Sequence, residues 1–477
     1  MRAQLLAVLI GSLLLVHVAC TDDETSPPPG SGSSSGLASS SGASSSGSSG
    51  ASSGGSSGAS SSGSSGSDGG DGGNGAVVTS CAMPARADTI RAVSGGNTMG
   101  AAGYDNKWVA NWDQVGAFTD GGIGVAKARF FDGAAFQAEK ELGQSIYGTN
   151  NGWQSDGNGR AFMQRTVDGS SSMRHMLDFA TGTITDSTYN GINGIEAMSL
   201  AVIPGGGAFS FYRNGTSLAV DRWLPADPTW KSTNLTGTPA LAYKLHVWAN
   251  AAGKAAVLWQ AGDGTGQTLY ISFFDGTSTW TTPATKFFPN AGGDVTFAEG
   301  AMLTNGDLHI AYSVGADATV KSMRVHTNGT IDASVDVGLG TGTGSALNAT
   351  VVADSSDRIT ITWIGNGKAL SRRDLGAGYQ AEQDLGAADS YRMDLDRATG
   401  NVTVVTYKTS SLSIRGVSAT SNTWTAAVPL TGLGVSNGMY AGRQVATVFD
   451  TAGHPTVIAQ QELPGPGALG LSYSKCQ

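Results

Sequence analysis

Five residues of the sequence have side chains suited to binding a sugar, and they fall in or beside long predicted loops. Two are aromatic and could stack against a sugar ring, while three are acidic and could accept hydrogen bonds from its hydroxyl groups. They are Trp153, Tyr147, Asp113, Asp120 and Asp263. The opposing interpretation is that the loops are merely solvated and that Trp153 is folded down as packing. The loops span 113–124, 144–158, 260–267 and 289–294.

The sequence lacks the short motifs that mark common catalytic and metal sites. It contains no H-E-x-x-H, no C-x-x-C, no phosphate loop before a helix and no EF-hand calcium loop. The six histidines are scattered, and His246 and His309 fall in strand-like runs, where a packed or hydrogen-bonded histidine is expected. We therefore expect no metal ion and no cofactor, and the absence of a catalytic set favours binding over catalysis.

The elements that position these residues follow from a repeat of about 50 residues. In each copy a turn rich in Gly, Asn or Asp precedes a β-type run that often ends in an aromatic residue. Leu308, Ile310, Tyr312 and Val314 illustrate the period-two alternation of one such run. The first residues after the turns are spaced by 53, 48, 46, 53, 51, 43 and 53. They are Lys107, Arg160, Ala208, Lys254, Asp307, Arg358, Asn401 and His454.

Four such runs in each of eight copies predict an all-β fold, a β-propeller with eight four-stranded blades. A single sheet cannot bury both of its faces, whereas a ring of sheets covers each face with a neighbour. Seven blades are the alternative, if one of the three looser early copies is an elaborated loop. The last copy, from about Tyr440, holds only three runs. We therefore expect residues near 89–93 to supply its outer strand and close the ring.

Two cysteines lie at the ends of the repeat region. Cys81 opens it and Cys476 is the penultimate residue of the chain. A ring brings its two ends together, so a Cys81–Cys476 disulfide would lie across the closure. Two free thiols or a metal-binding pair are the alternatives.

The stretch SFFDGTSTWTTP at 272–283 resembles the Asp box of sialidase-type propellers. Asp275, Thr279 and Trp280 keep the spacing of that motif, although Gly276 follows the aspartate directly instead of one residue later. In the family, the carboxylate caps backbone N–H groups and the aromatic packs between strands, on the rim away from the catalytic centre. The resemblance therefore implies a propeller and does not by itself imply an enzyme.

An enzyme of sialidase-like architecture is the second interpretation. The family uses an arginine cluster and a tyrosine nucleophile, together with a Glu and an Asp. Here Arg392, Tyr440 and Arg443 open the innermost runs of the last two blades, where a central site could form. Residues 89–93 (TIRAV) are the nearest match to the family's first arginine segment, but they lack its proline.

The N-terminal part of the chain predicts export and a tether. Residues 1–19 combine Arg2 with a short apolar run and are predicted to be a signal peptide. The following Cys20 resembles the lipidated cysteine of bacterial lipoproteins, with His17 where that family usually has Leu. Ordinary secretion is the alternative. Residues 20–76 form a Ser/Gly-rich tether, predicted to be disordered, with a reach of roughly 40 Å.

The net charge and the predicted cellular location restrict the kinds of binding partner. Within 77–477, 27 basic and 32 acidic residues give a formal charge of −5, and no basic stripe indicates nucleic acid. Anchor, tether and repeat together resemble the propeller lipoproteins with Ser/Gly-rich tethers found in myxobacteria. We expect a monomer held in the bacterial envelope by its lipid alone, at the outer membrane or the cell surface. Its propeller is expected to bind a glycan or an envelope protein without catalysis.

Overall fold

The computed structural model describes residues 78–477 except for fourteen short segments. Everything before residue 78 lies outside the described part, so the predictions for Cys20, the signal and the tether remain predictions. The segments left out are 83–84, 91–99, 116–122, 147–150, 168–170, 191–197, 215–216, 236–241, 263–266, 282–294, 315–318, 341–348, 436–443 and 463–468. Within the described ranges, no helix is long and apolar enough to cross a bilayer.

The described part is built from β-strands. In chain order they are β1 (Ala85–Ile90), β2 (Gly100–Tyr104), β3 (Lys107–Val115), β4 (Ile123–Phe131), β5 (Lys140–Ile146), β6 (Asn151–Ser155), β7 (Arg160–Thr166), β8 (Ser171–Asp178), β9 (Thr183–Asn190), β10 (Met198–Val202), β11 (Ala208–Asn214), β12 (Ser217–Leu224), β13 (Asp227–Asn234), β14 (Ala242–Ala249), β15 (Ala255–Gly262), β16 (Gln267–Phe274), β17 (Val295–Met302), β18 (Leu308–Val314), β19 (Thr319–Val325), β20 (Val335–Leu339), β21 (Thr350–Ala353), β22 (Ile359–Gly365), β23 (Lys368–Asp374), β24 (Gln383–Ala387), β25 (Ser390–Leu395), β26 (Val402–Lys408), β27 (Ser411–Val417), β28 (Val428–Pro429), β29 (Val445–Phe449), β30 (Pro455–Glu462) and β31 (Leu469–Lys475).

These strands form eight antiparallel sheets, the blades of a β-propeller. Blades 1, 2 and 3 are β2–β5, β6–β9 and β10–β13, and blade 4 has three described strands, β14–β16. Blades 5, 6 and 7 are β17–β20, β21–β24 and β25–β28, and blade 8 is β29–β31 with β1 at its outer edge. The first strand of each blade contacts the first strand of the next, and β29 of blade 8 contacts β2 of blade 1. The predicted eight-bladed ring is therefore confirmed.

Each of the eight interfaces between neighbouring blades has its own apolar cluster. Between blades 1 and 2, for example, Val109 and Leu142 of one sheet pack against Met163 and Leu177 of the other. Corresponding clusters fill the other seven interfaces. Burial of apolar area is the main favourable term in folding, and here it depends on sheets meeting face to face around the ring.

The ring closes as the sequence predicts. Strand β1 lies antiparallel to β31, with Ala85 opposite Tyr473 and Ile90 opposite Leu469, so the N-terminal segment supplies the outer strand of blade 8. This strand covers 85–90 and so begins before the expected 89–93. A disulfide joins Cys81 to Cys476 next to this pairing, with 3.9 Å between the two Cα atoms.

The Asp-box-like turn has the structural role that its resemblance implies. The carboxylate of Asp275 accepts hydrogen bonds from the backbone N–H groups of Thr277, Ser278 and Thr279, at 2.7, 3.0 and 3.1 Å. Trp280 packs at the interface of blades 3 and 4, with its ring 5.2 Å from that of Phe211. The fourth run predicted for blade 4 falls within 282–294, outside the described residues.

This turn should make part of the stability depend on pH. Hydrogen bonds from Thr277 and Thr279 lower the pKa of Asp275 from 3.8 to about 2. A carboxyl whose pKa is depressed in the folded state stabilises that state above its ordinary pKa, and this contribution is lost as the pH falls through the folded-state value. We expect thermal unfolding to show the wild type losing more stability than Asp275→Asn between about pH 4 and pH 2. Parallel pH profiles for the two proteins would contradict this account.

Candidate binding channel

A cavity of about 640 Å³ lies where the first strands of all eight blades meet. Its wall is made by the second halves of these strands and, in six blades, by the hairpin that joins the first strand to the second. We call the hairpins at this position the first hairpins. The sequence instead placed a site on the opposite face, at the loops between second and third strands, and much of that face lies outside the described residues. We call the space inside the ring the channel.

Side chains from three blades bring aromatic and charged groups to the channel. Trp248 of β14 and Arg392 and Asp394 of β25 line the cavity. His246 and Glu299 stand one position before the lining residues Val247 and Gly300 in β14 and β17. His246 and Arg392 both act electrostatically on Glu299, so these groups share one region of the channel.

The aromatic part of this region is held by close packing. The rings of His246 and Trp248 stack, with 5.9 Å between centroids and 10° between planes. Gly300 of the neighbouring strand makes room for the indole, because a Cβ there would lie 2.9 Å from two of its ring atoms. Any side chain at position 300 would therefore displace Trp248.

The charged groups of this region interact with one another, and each is held in a different way. Arg392 donates from Nε to Asp394 at 3.0 Å, and the backbone N–H of Thr447 in blade 8 donates to the same carboxylate at 3.2 Å. Burial raises the pKa of Glu299, and electrostatic interactions with His246 and Arg392 oppose that rise. The region can therefore donate and accept hydrogen bonds beside an aromatic surface, which is what a sugar requires.

The first hairpins form a rigid mouth at one end of the channel. In several of them an Asp or Asn at the end of the first strand accepts hydrogen bonds from N–H groups two and four residues later. In blade 2, Asp156 accepts from Asn158 and Arg160 at 2.7 and 3.0 Å. The others of this set are Asn250, Asp354 and Asp450, and Asp396 accepts from Ala398 in the same way.

Two of the predicted sugar-binding residues lie in strands and not in loops. Trp153 lies in β6, the innermost strand of blade 2, where it is 3 % exposed and packs in the cluster between blades 1 and 2. Its ring packs in that cluster, although Trp153 is also among the residues that line the cavity. Asp113 lies within β3 and not in a loop. Tyr147, Asp120 and Asp263 lie outside the described residues.

The residues of the enzyme interpretation are only partly placed. Arg392 lines the channel from the innermost strand of blade 7. Tyr440 and Arg443 lie outside the described residues. Trp248, Glu299 and Asp394 were not predicted from the sequence. A signal existed for Asp394, because Arg392, Asp394 and Asp396 alternate with apolar residues in a strand that begins a blade.

The remaining histidines of the described part are hydrogen-bonded in place. His309 lies between Ser322 and Tyr379, at 2.8 Å from each hydroxyl, and burial lowers its pKa to about 4. His175 lies between Arg165 and Asp186. No group of three or more His, Cys, Asp or Glu side chains in the described ranges is arranged to hold a metal ion.

Comparisons with known proteins give only distant likenesses. No family model and no curated protein matches the chain. Among solved structures it is similar to the polysaccharide lyase Uly1, at 8 % identity and TM-score 0.44 over 70 % of this chain and 91 % of that one. A PL25 ulvan lyase bound to -[GlcA(1-4)Rha3S]- is similar at 10 % identity and TM-score 0.42, over 68 % of this chain and 91 % of that one. The SapL1 lectin in complex with alpha methyl fucoside is similar at 12 % identity and TM-score 0.36, over 62 % of this chain and 97 % of that one. Likenesses this distant assign neither a ligand nor a reaction.

Proposed function

We propose that the propeller is a non-catalytic binding module and that its ligand is a glycan held in the channel. The observation that carries this proposal is the cavity of about 640 Å³ with an aromatic pair and a charged network in one region. Ligand pockets usually enclose roughly 300–1,000 Å³ and combine apolar surface with a few polar groups. A folded protein could reach only the rim of such a channel, so the shape favours a chain-like ligand.

We also propose that the module belongs to a cell-envelope lipoprotein. Lipid at Cys20 would attach it to the membrane, and the tether of 20–76 would let the propeller move away from the surface. In this arrangement the protein works as a monomer at the outer membrane or the cell surface. This proposed location is supported by the sequence of residues 1–76.

The proposal is tested with the purified full chain on a broad array of polysaccharides. We expect reproducible binding to one sugar class. Trp248→Leu should weaken that binding about threefold to tenfold, because it removes an aromatic contact in the channel. Trp424→Leu is the matched control, because this largely buried indole packs between blades 6 and 7, away from the described lining of the channel, and its truncation should leave affinity unchanged. Binding only to an envelope protein would replace the glycan with a protein ligand.

Glycan cleavage is the second candidate, and one observation favours it. Burial raises the pKa of Glu299, which lies next to the lining residue Gly300, and Asp394 lines the channel itself; glycan-cleaving enzymes use pairs of carboxyl groups. New chain ends after incubation with a bound polysaccharide, lost in Glu299→Gln, would establish this activity. Binding without product would leave the module non-catalytic.

A further inference from the structure

One cation at the mouth of the channel, Arg397, forms no ion pair with any described carboxylate. Arg397 lies in the first hairpin of blade 7, lines the cavity and is exposed to the space inside the ring. Within the described ranges no carboxylate pairs with it and no oxygen accepts a hydrogen bond from it. The surrounding ring displaces bulk water from the guanidinium, and this desolvation lowers the pKa of Arg397.

The hairpin that carries Arg397 is fixed by hydrogen bonds that do not involve its side chain. Asp396 accepts from the N–H of Ala398 at 3.0 Å and from the hydroxyl of Thr399, and its carbonyl accepts from Gly400 at 2.8 Å. Gly453 of blade 8 packs over Asp396, since a Cβ there would lie 2.8 Å from its carboxylate. The guanidinium is therefore presented from a firm base, which lowers the entropy lost on binding.

Most carboxylates around it are already occupied. Asp394 holds Arg392 and the N–H of Thr447. Asp450 accepts from the backbone of its own hairpin at 2.9 and 2.8 Å and contacts the ring of His454. Within the described part, these carboxylates have partners other than Arg397, so its N–H donors remain available to an anionic ligand.

Building on the function proposed above, we propose that Arg397 binds an anionic group on the glycan, a carboxylate or a sulfate. The guanidinium presents several N–H donors in one plane, which suits the paired oxygens of either group. The chain as a whole carries a formal charge of −9, so general attraction to polyanions would not explain such binding.

The experiment uses the full chain in mild detergent and matched neutral and acidic polysaccharides. The probes are dextran, carboxymethyl dextran and dextran sulfate, with methyl-esterified and de-esterified pectin. We expect binding to acidic members only, weakened by added salt. Arg397→Gln should weaken it about tenfold to a hundredfold, the range of a lost charge-assisted hydrogen bond, and Arg397→Lys should weaken it less. The preference between carboxymethyl dextran and dextran sulfate identifies the anion.

A matched control comes from the first hairpin of blade 1. Asp105 lines the same cavity and has a left-handed φ of 51°, which Asn tolerates, so Asp105→Asn removes a charge without straining the turn. Affinity should stay the same or rise in this variant. The proposed role of Arg397 would be wrong if both variants lost affinity equally, or if Arg397→Gln bound the acidic polysaccharides as tightly as the wild type. Binding to neutral members alone would overturn it and leave the glycan-binding function, whereas binding to nothing would overturn both.

Discussion

Replacing Asp221 with Ala is expected to destabilise the folded propeller by about 3–5 kcal/mol, among the largest effects of any single change in the described part. Asp221 of β12 forms an ion pair with Arg174 of β8, and this pair joins blade 3 to blade 2. The two side chains are only 7 % and 3 % exposed. Removing one partner would leave a buried guanidinium without its counter-charge.

The surroundings of the pair explain why the loss would not be repaired locally. Asp221 also accepts from the hydroxyl of Ser232 at 2.6 Å, and Arg174 donates from Nε to Ser210 at 2.7 Å. The guanidinium carbon lies 3.8 Å from the ring centroid of Tyr189 and 4.5 Å from that of Trp230. These rings enclose the cation and leave little space for water or a new anion, so its desolvation would be largely uncompensated.

Denaturant unfolding with a double-mutant cycle checks this prediction. Arg174→Met combined with Asp221→Leu removes both charges, and it should cost clearly less than the two single changes added together. Asp389→Ala is the matched control, because its partner Lys408 and Asp389 itself are 44 % and 46 % exposed, and it should cost less than about 1 kcal/mol. Equal effects at Asp221 and Asp389 would show that burial does not decide the outcome.

The sequence predicts the fold well because each blade repeats one local pattern. All eight turns that end before Lys107, Arg160 and the later starts coincide with first hairpins, and each second strand begins at or one residue after the predicted start. Period-two alternation and turn composition are local properties, so they are readable without knowing the ring. The closing strand was predictable because the last copy lacked a run and the first residues had no blade.

The channel was much harder to predict, for a physical reason. Trp248, Glu299 and Arg392 lie in blades 4, 5 and 7, and only closure of the ring brings their strands to one space. Trp153 was predicted to lie in a loop because residues 144–158 are rich in Gly and Asn, which is typical of loops. The middle of this segment instead forms the innermost strand of blade 2. Six of the eight first strands have only four to six residues, so their sequences carry little of the alternation that identifies longer strands.

Removing the disulfide that closes the ring is expected to be the second large effect. Cys81 and Cys476 are 395 residues apart in sequence, so their bond restricts nearly the whole unfolded domain. Such a constraint stabilises the folded state by an amount on the order of 4–5 kcal/mol. The folded ends should stay paired without it, because the N–H of Thr79 donates to the carbonyl of Gln477 and β1 remains bonded to β31.

The bond should therefore change stability far more than structure. Cys81→Ser with Cys476→Ser should lower the thermal and denaturant midpoints strongly, while the far-ultraviolet circular dichroism of the folded protein stays the same. A reducing agent should shift the wild type to the midpoint of this variant and leave the variant unaffected. If complete reduction of the wild type caused no shift, β1 and the interface clusters alone would hold the ring. Blade 8 would then close by packing, with the disulfide contributing little, and the loop-closure argument would fail for this propeller.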